Sequence, residues 1–246
     1  MHPIILQTEY FTIHSWGLML SIGILAGLWL ARTHAAQLGL DQEVLFDLAL
    51  WLVGGGLLGA RIFYVAVYDP GYYLSHPWEV LMIWKAGLVY YGAFLGGIVS
   101  GLIFMYYRKL QFWSLADLVA PSLALGYGVV RVGCFLNGCC YGKPTNVPWA
   151  VVFPNIGDHV TRHPTQLYLA VVGFGLAWWL YRLQSVKHFE GQVFLTYAIA
   201  YGLLRWAVET FRENLTLIGS VTVAQMVSMA LIGWAMVYYY RRSRLI

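Results

Sequence analysis

Apolar residues run through this chain in stretches of about twenty, and about twenty is the length a helix needs to cross the hydrocarbon of a bilayer. The stretches lie near 15–34, 46–68, 88–107, 115–136, 164–182, 191–210 and 220–240, with short polar connections between them. The pattern predicts an all-α polytopic membrane protein with about seven transmembrane helices, forming a single integral-membrane domain over 1–246. Glycine is dense at Gly54, Gly55, Gly56 and Gly59 and again at Gly92, Gly96, Gly97 and Gly101, and small residues four apart let helices approach closely. Most of these glycines are expected to serve packing alone. No internal repeat of the inverted-transporter kind is visible.

Composition agrees with the pattern. Sixty per cent of residues are hydrophobic and 11% charged, with a mean hydropathy of +0.64, which excludes an ordinary soluble chain. Net charge is only +4 and the basic residues are scattered, so nucleic acid is not an expected partner. Eleven Trp and eighteen Tyr suit two interfacial aromatic belts. The opening MHPIILQTEYFTIHSW lacks a basic segment and a small-residue cleavage site, so the first apolar stretch is expected to stay in the mature protein. Basic residues set the orientation. With Arg32, Arg108, Lys109, Arg182, Lys187, Arg241, Arg242 and Arg244 on the cytoplasmic side, Lys85, Lys143, Arg162 and Arg212 remain outside. The amino terminus is then exterior and the carboxyl terminus cytoplasmic.

Three further arginines, Arg61, Arg131 and Arg205, fall inside apolar stretches. A guanidinium stays charged, and placing one in hydrocarbon costs about 2.5–3.5 kcal/mol on insertion scales, so an anionic partner is expected. Tyr201, Arg205 and Glu209 are spaced by four on one helix face, with Arg212 one turn further. Glu209 can neutralise one arginine. The surplus positive charge favours an anionic ligand, and arginine's planar fork matches phosphate oxygens. In a bilayer the abundant phosphodiesters are lipid headgroups, so a site reached laterally from the membrane is expected.

The densest unusual stretch is RVGCFLNGCCYG, from Arg131 to Gly142. It resembles the signature of the bacterial prolipoprotein diacylglyceryl transferases. Further blocks follow the family's order: HSWGLML from His14, GARIFYV from Gly59, GLVYYGAFLGG from Gly87, RHPTQLY from Arg162, YGLLRWAVETFR from Tyr201, and Ala224–Gln225. The resemblance implies a seven-span inner-membrane enzyme with no cofactor. It would transfer the diacylglyceryl group of phosphatidylglycerol to the lipobox cysteine of a prolipoprotein signal peptide, forming a thioether and releasing glycerol phosphate. By position, Arg131 and Arg205 would be essential arginines, with Arg131 binding phosphatidylglycerol. Asn137, Gly142, Tyr201 and Glu209 would be their neighbours, and Arg61 would complete the positive lining.

This chemistry matches the residues read alone. A thiol attacks carbon as thiolate, and nearby positive charge favours the thiolate and steadies a departing phosphate. Charge alone leaves an anion transporter open, against which the lack of repeats counts, and a lipid-binding relative with another acceptor is a further alternative.

The chain departs from the family in two places. Well-known members carry His-Gly-Gly where this chain has Tyr91-Gly92-Ala93, so Tyr91 stands at the candidate base, a role a phenol fills only with an arginine beside it. Cys134 and Cys139 stand where Asn and Glu are common. His163, with Gln166 and Tyr168, sits at the mouth of the fifth span as a second candidate base, although a histidine beside a helix-starting proline is more often structural. The three cysteines, joined by His159 or His163, could supply four metal ligands. Their spacing fits no standard zinc pattern, so no metal is expected and packing is the favoured reading.

Overall fold

In a computed structural model of the chain, residues 1–9, 12–35, 40–68, 70–82, 87–212, 216–218 and 221–244 are described. Seven long helices account for most of them: α1 (Ser15–Ala35), α2 (Gln42–Tyr68), α4 (Tyr90–Arg108), α5 (Phe112–Asn137), α6 (Thr165–Gln184), α7 (Gln192–Glu209) and α8 (Val223–Ser243), with a short α3 (Pro70–Ser75) after α2. Five of them, α1, α2, α4, α5 and α8, are long and apolar enough to cross a membrane. Buried glutamines at their starts and the Arg205–Glu209 pair make α6 and α7 more polar. Large apolar side chains such as Trp29, Ile62, Val171 and Trp178 point outward, as in a protein surrounded by lipid.

The apolar pattern did not predict three small antiparallel strand pairs: β1 (Ile4–Gln7) with β2 (Thr12–His14), β3 (Val151–Val152) with β4 (Thr161–Arg162), and β5 (Thr216–Ile218) with β6 (Val221–Thr222). They lie before α1 or between helices, where two to four residues carry too little alternation to read.

The chain folds into two compact units. Residues 35–112 form one, built on α2 against α4. Glycine makes that packing possible at particular positions. A Cβ on Gly59 would lie 2.4 Å from the Gly92 carbonyl oxygen and one on Gly96 would lie 2.2 Å from that of Gly55, whereas Gly54 faces open space. Gly59→Ala is therefore expected to cost about 1–3 kcal/mol through forced separation of two backbones. Gly54→Ala should be neutral or stabilising, since alanine favours helix by about 1 kcal/mol. Thermal unfolding of the two variants in detergent checks this, and equal melting points would refute the close-packing account. Arg61 lies in this unit, buried. Its Nε donates to Val80 O at 3.0 Å, Nη2 to Glu79 O at 2.6 Å and Nη1 to Gly87 O at 3.3 Å, with Tyr64 and Tyr73 against its face. The guanidinium thus satisfies carbonyls of the connection before α4. Lys85, counted among the exterior basic residues, falls outside the described residues.

The other unit comprises residues 1–34 and 113–246. α1 meets α5 through Gly23 on Gly126, and the Ser122 hydroxyl donates to Gly27 O at 2.7 Å. Gly173 of α6 fits against Gly128 of α5. Ala120, Ala124, Leu176, Ala177, Leu180 and Val193 fill the space among α5, α6 and α7, and Leu195, Ala198 and Ala235 join α7 to α8.

The two ends of this unit differ. At one end His34 packs on Tyr181, Arg242 donates to Glu190 O, and Lys187 pairs with Asp117. The fully buried Asp117 carboxylate also accepts the backbone N–H groups of Gly191 at 2.8 Å and Phe194 at 2.9 Å. It therefore satisfies donors exposed by the start of α7, a helix terminus that favours negative charge. The opposite end carries the signature segment.

Candidate functional site

At that opposite end α5, α6, α7 and α8 bring together most of the residues singled out from the sequence. Arg131 lies on the last turns of α5. Its guanidinium stands 4.8 Å from the centre of the Tyr127 ring, one helical turn back, and its Nε is buried without a hydrogen-bond partner. Tyr127 meets Tyr201 of α7 edge-on at 5.4 Å, and Tyr201 stacks on Tyr197 at 5.9 Å. Arg205 lies one helical turn beyond Tyr201 on α7. Two arginines and two phenols therefore share one polar patch between α5 and α7.

The two arginines are not equivalent. Arg205 Nη1 donates to Glu209 Oε2, the i,i+4 pair expected from spacing, and Glu209 is buried. The second carboxylate oxygen accepts from the Thr222 hydroxyl at 2.9 Å. Thr222 caps α8 in a reciprocal box with Gln225, so the pair is tied to the head of the last helix. Among the described residues no carboxylate pairs with Arg131.

The end of α5 explains the signature's Asn-Gly step. Gly138 adopts φ 72°, its N–H donates to Phe135 O at 3.1 Å, and the Cys139 N–H donates to Cys134 O at 3.1 Å. This is a Schellman stop, with Asn137 closing the helix and glycine in the left-handed position. The Asn137 carbonyl accepts the Asn155 Nδ2 at 3.0 Å. Gly142 is required by space, because a Cβ there would come within 2.8 Å of Phe211 O, His163 Cβ and Thr165 Cγ2.

The RHPTQLY block holds this loop in place. Thr165 and Gln166, both fully buried, donate to Cys140 O at 2.8 Å and to Cys139 O at 2.6 Å. His163 exchanges backbone hydrogen bonds with Gly142 and Lys143; its Nδ1 lies 3.1 Å from the Tyr168 hydroxyl, which accepts from Trp149 Nε1 at 2.7 Å. The imidazole also packs on Phe211 at 5.3 Å.

Two features escaped the sequence reading, and the structure adds geometry to a third. Tyr127 had a signal in its i,i+4 spacing to Arg131, and Thr222 one in the cap pattern Thr-Val-Ala-Gln. The third is the convergence of Cys134, Cys139 and Cys140, whose sulfurs all lie within 4.8 Å of one another. Thiol hydrogen bonds from Cys134 and Cys139, aided by the charges of Arg131 and Arg212, draw the Cys140 thiol below its usual range. Tyr91 lies in the other unit, on the first turn of α4, two-thirds exposed and edge-on to Tyr90.

Comparison with known proteins bears on the whole chain. The family model described as prolipoprotein diacylglyceryl transferase matches residues 3–241. A phosphatidylglycerol–prolipoprotein diacylglyceryl transferase of Thermosynechococcus vestitus is 36% identical, covering 97% of this chain and 93% of the relative. Relatives of the same name from Bordetella parapertussis and Acaryochloris marina are 38% and 36% identical over 86% and 98% of the chain, with 82% and 92% of the relatives covered. A family match over residues 3–241, with relatives 36–38% identical over most of the chain, identifies the chain as a member of the prolipoprotein diacylglyceryl transferase family.

Proposed function

We propose that the protein transfers the diacylglyceryl group of phosphatidylglycerol to the thiol of a lipobox cysteine in a prolipoprotein, an early step of lipoprotein maturation in the bacterial inner membrane. The observation that carries this reading is the half-buried Arg131, its Nε enclosed without a hydrogen-bond partner and its charge unmatched by any described carboxylate, on the same patch as an arginine that Glu209 and Thr222 hold in place. A phosphodiester supplies the missing charge. On this reading Arg131 takes the phosphate and Arg205 steadies the charge that develops on it. The acceptor sulfur bonds to the glyceryl carbon as the carbon–oxygen bond breaks, and the electron pair leaves on the phosphate oxygen of glycerol phosphate.

All seven long helices span the bilayer in this account, with the amino terminus outside. The basic end of the larger unit, with Arg182, Lys187 and Arg242, supports that orientation by the positive-inside tendency, which puts the arginine patch in the exterior half. Arg61 acts as a clamp on its own unit, since its donors serve carbonyls. His163, Gln166 and Tyr168 position the signature loop, and Tyr201 supports the patch beneath both arginines.

The test is incorporation of labelled diacylglyceryl from phosphatidylglycerol into a lipobox peptide by the purified protein, compared with Arg131→Ala. Thioether product lost in the variant supports the reading; lipid binding without product would move the assignment to a lipid-binding relative with another acceptor. Tyr91→Phe is expected to keep turnover within about threefold, because the ring lies on the surface against Tyr90 and a phenol is a poor base near neutral pH. A tenfold loss would instead make Tyr91 the proton acceptor.

A further inference from the structure

Thiol activation has no assigned group in that account, and the cysteine cluster offers one. The Schellman stop at Gly138 and a second left-handed residue, Cys140 at φ 65°, fold the chain back so that a cysteine in the last turn of α5 meets the next two. Thr165 and Gln166 fix the backbone carbonyls of Cys140 and Cys139 and leave the sulfurs to converge. All three cysteines are free thiols. Cys139 and Cys140 also line an open pocket of about 430 Å³, together with Asn155 and Arg212.

Packing alone does not account for this arrangement. Small apolar residues would fill a core, but Cys139 and Cys140 line an open pocket that Arg212 also lines. Arg131 and Arg212 each bury an Nε that lacks a hydrogen-bond partner, and among the described residues no carboxylate pairs with either.

We propose that Cys134, Cys139 and Cys140 are three thiolate ligands of a soft divalent cation such as Zn(II), whose fourth position opens to the pocket and takes the acceptor thiol. Thiolates select such ions, and three protein ligands with one open position is the arrangement of catalytic zinc sites. Sulfurs about 2.3 Å from a tetrahedral ion stand about 3.8 Å apart, so sulfurs already within 4.8 Å need move by an ångström or less. Three thiolates on a dication carry one net negative charge, which Arg131 and Arg212 are placed to balance. The irregular spacing is no obstacle, because the turn rather than a helix repeat brings the ligands together.

The role of the fourth position rests on the transferase reading. The acceptor thiol binds the cation and releases its proton to pocket water. Its sulfur then bonds to the glyceryl carbon as that carbon's bond to the phosphate oxygen breaks. No electron is gained or lost by the metal.

The full-length protein, purified in detergent, reduced and stripped with a chelator, is titrated with Zn(II) and with Cd(II). One equivalent per chain is expected, with the ultraviolet sulfur-to-cadmium band, and binding should weaken at least tenfold in Cys139→Ser and separately in Cys140→Ser. A lipobox peptide should alter the cadmium band, and the same peptide with serine for cysteine should not. Absence of binding, binding equal in the serine variants, or isolation of the protein two hydrogens lighter with a disulfide in the cluster would overturn the site. A metal-loaded protein that binds the peptide thiol yet transfers nothing from phosphatidylglycerol supports the site while refuting the transferase reading. Full transfer by the stripped protein refutes the metal's role.

Discussion

Arg131→Ala should lower diacylglyceryl transfer by about two to three orders of magnitude, the effect of removing one preorganised donor from developing negative charge. It should do so without loss of fold. The side chain pairs with no described carboxylate, stands over the Tyr127 ring, and buries an Nε with no partner, so its charge costs the ligand-free protein free energy. Melting temperature in detergent should hold or rise while activity falls. Arg131→Lys keeps the charge and loses the planar fork, and should recover only part of the rate. Binding of phosphatidylglycerol should weaken in both variants. If Arg131→Ala keeps a third or more of wild-type transfer, the phosphate is held elsewhere.

The sequence distinguishes Arg131 from Arg61 poorly, and the structure distinguishes them sharply. Both sit in apolar stretches beside small residues. Arg61 serves carbonyls at 79, 80 and 87, which lie 18, 19 and 26 residues away along the chain, and no periodicity reveals a partner of that kind. The helices were more legible. Their apolar lengths are set by the bilayer, so 164–182 and 46–68 fall within a few residues of α6 and α2. Arg205 and Glu209 were legible because a helix makes i,i+4 residues neighbours. The Asp117 cap on α7 was not, since it links residues more than seventy apart. For the cysteines, spacing gave no sign that the sulfurs converge, because ligand patterns assume regular elements and here two left-handed residues determine which side chains meet.

Arg205 and Glu209 allow stability and catalysis to be separated. Glu209→Ala leaves a half-buried guanidinium without its carboxylate and the Thr222 hydroxyl without its acceptor. Breaking a buried pair on one side costs about 3–5 kcal/mol, so the variant should melt well below wild type and transfer little. Thr222→Ala keeps the pair and loses the helix cap, at about 1 kcal/mol, and should transfer at a reduced but measurable rate. The decisive variant replaces both partners, Arg205→Leu with Glu209→Leu. Apolar side chains of similar volume often match or exceed the stability of a buried pair, so this double variant should regain most of the melting temperature lost in Glu209→Ala. Its transfer should stay at least a hundredfold below wild type, because no guanidinium remains to meet the charge developing on phosphate. Recovery of stability with activity would assign the pair to the fold alone. Recovery of stability without activity requires Arg205 in the chemistry, with Glu209 acting through it.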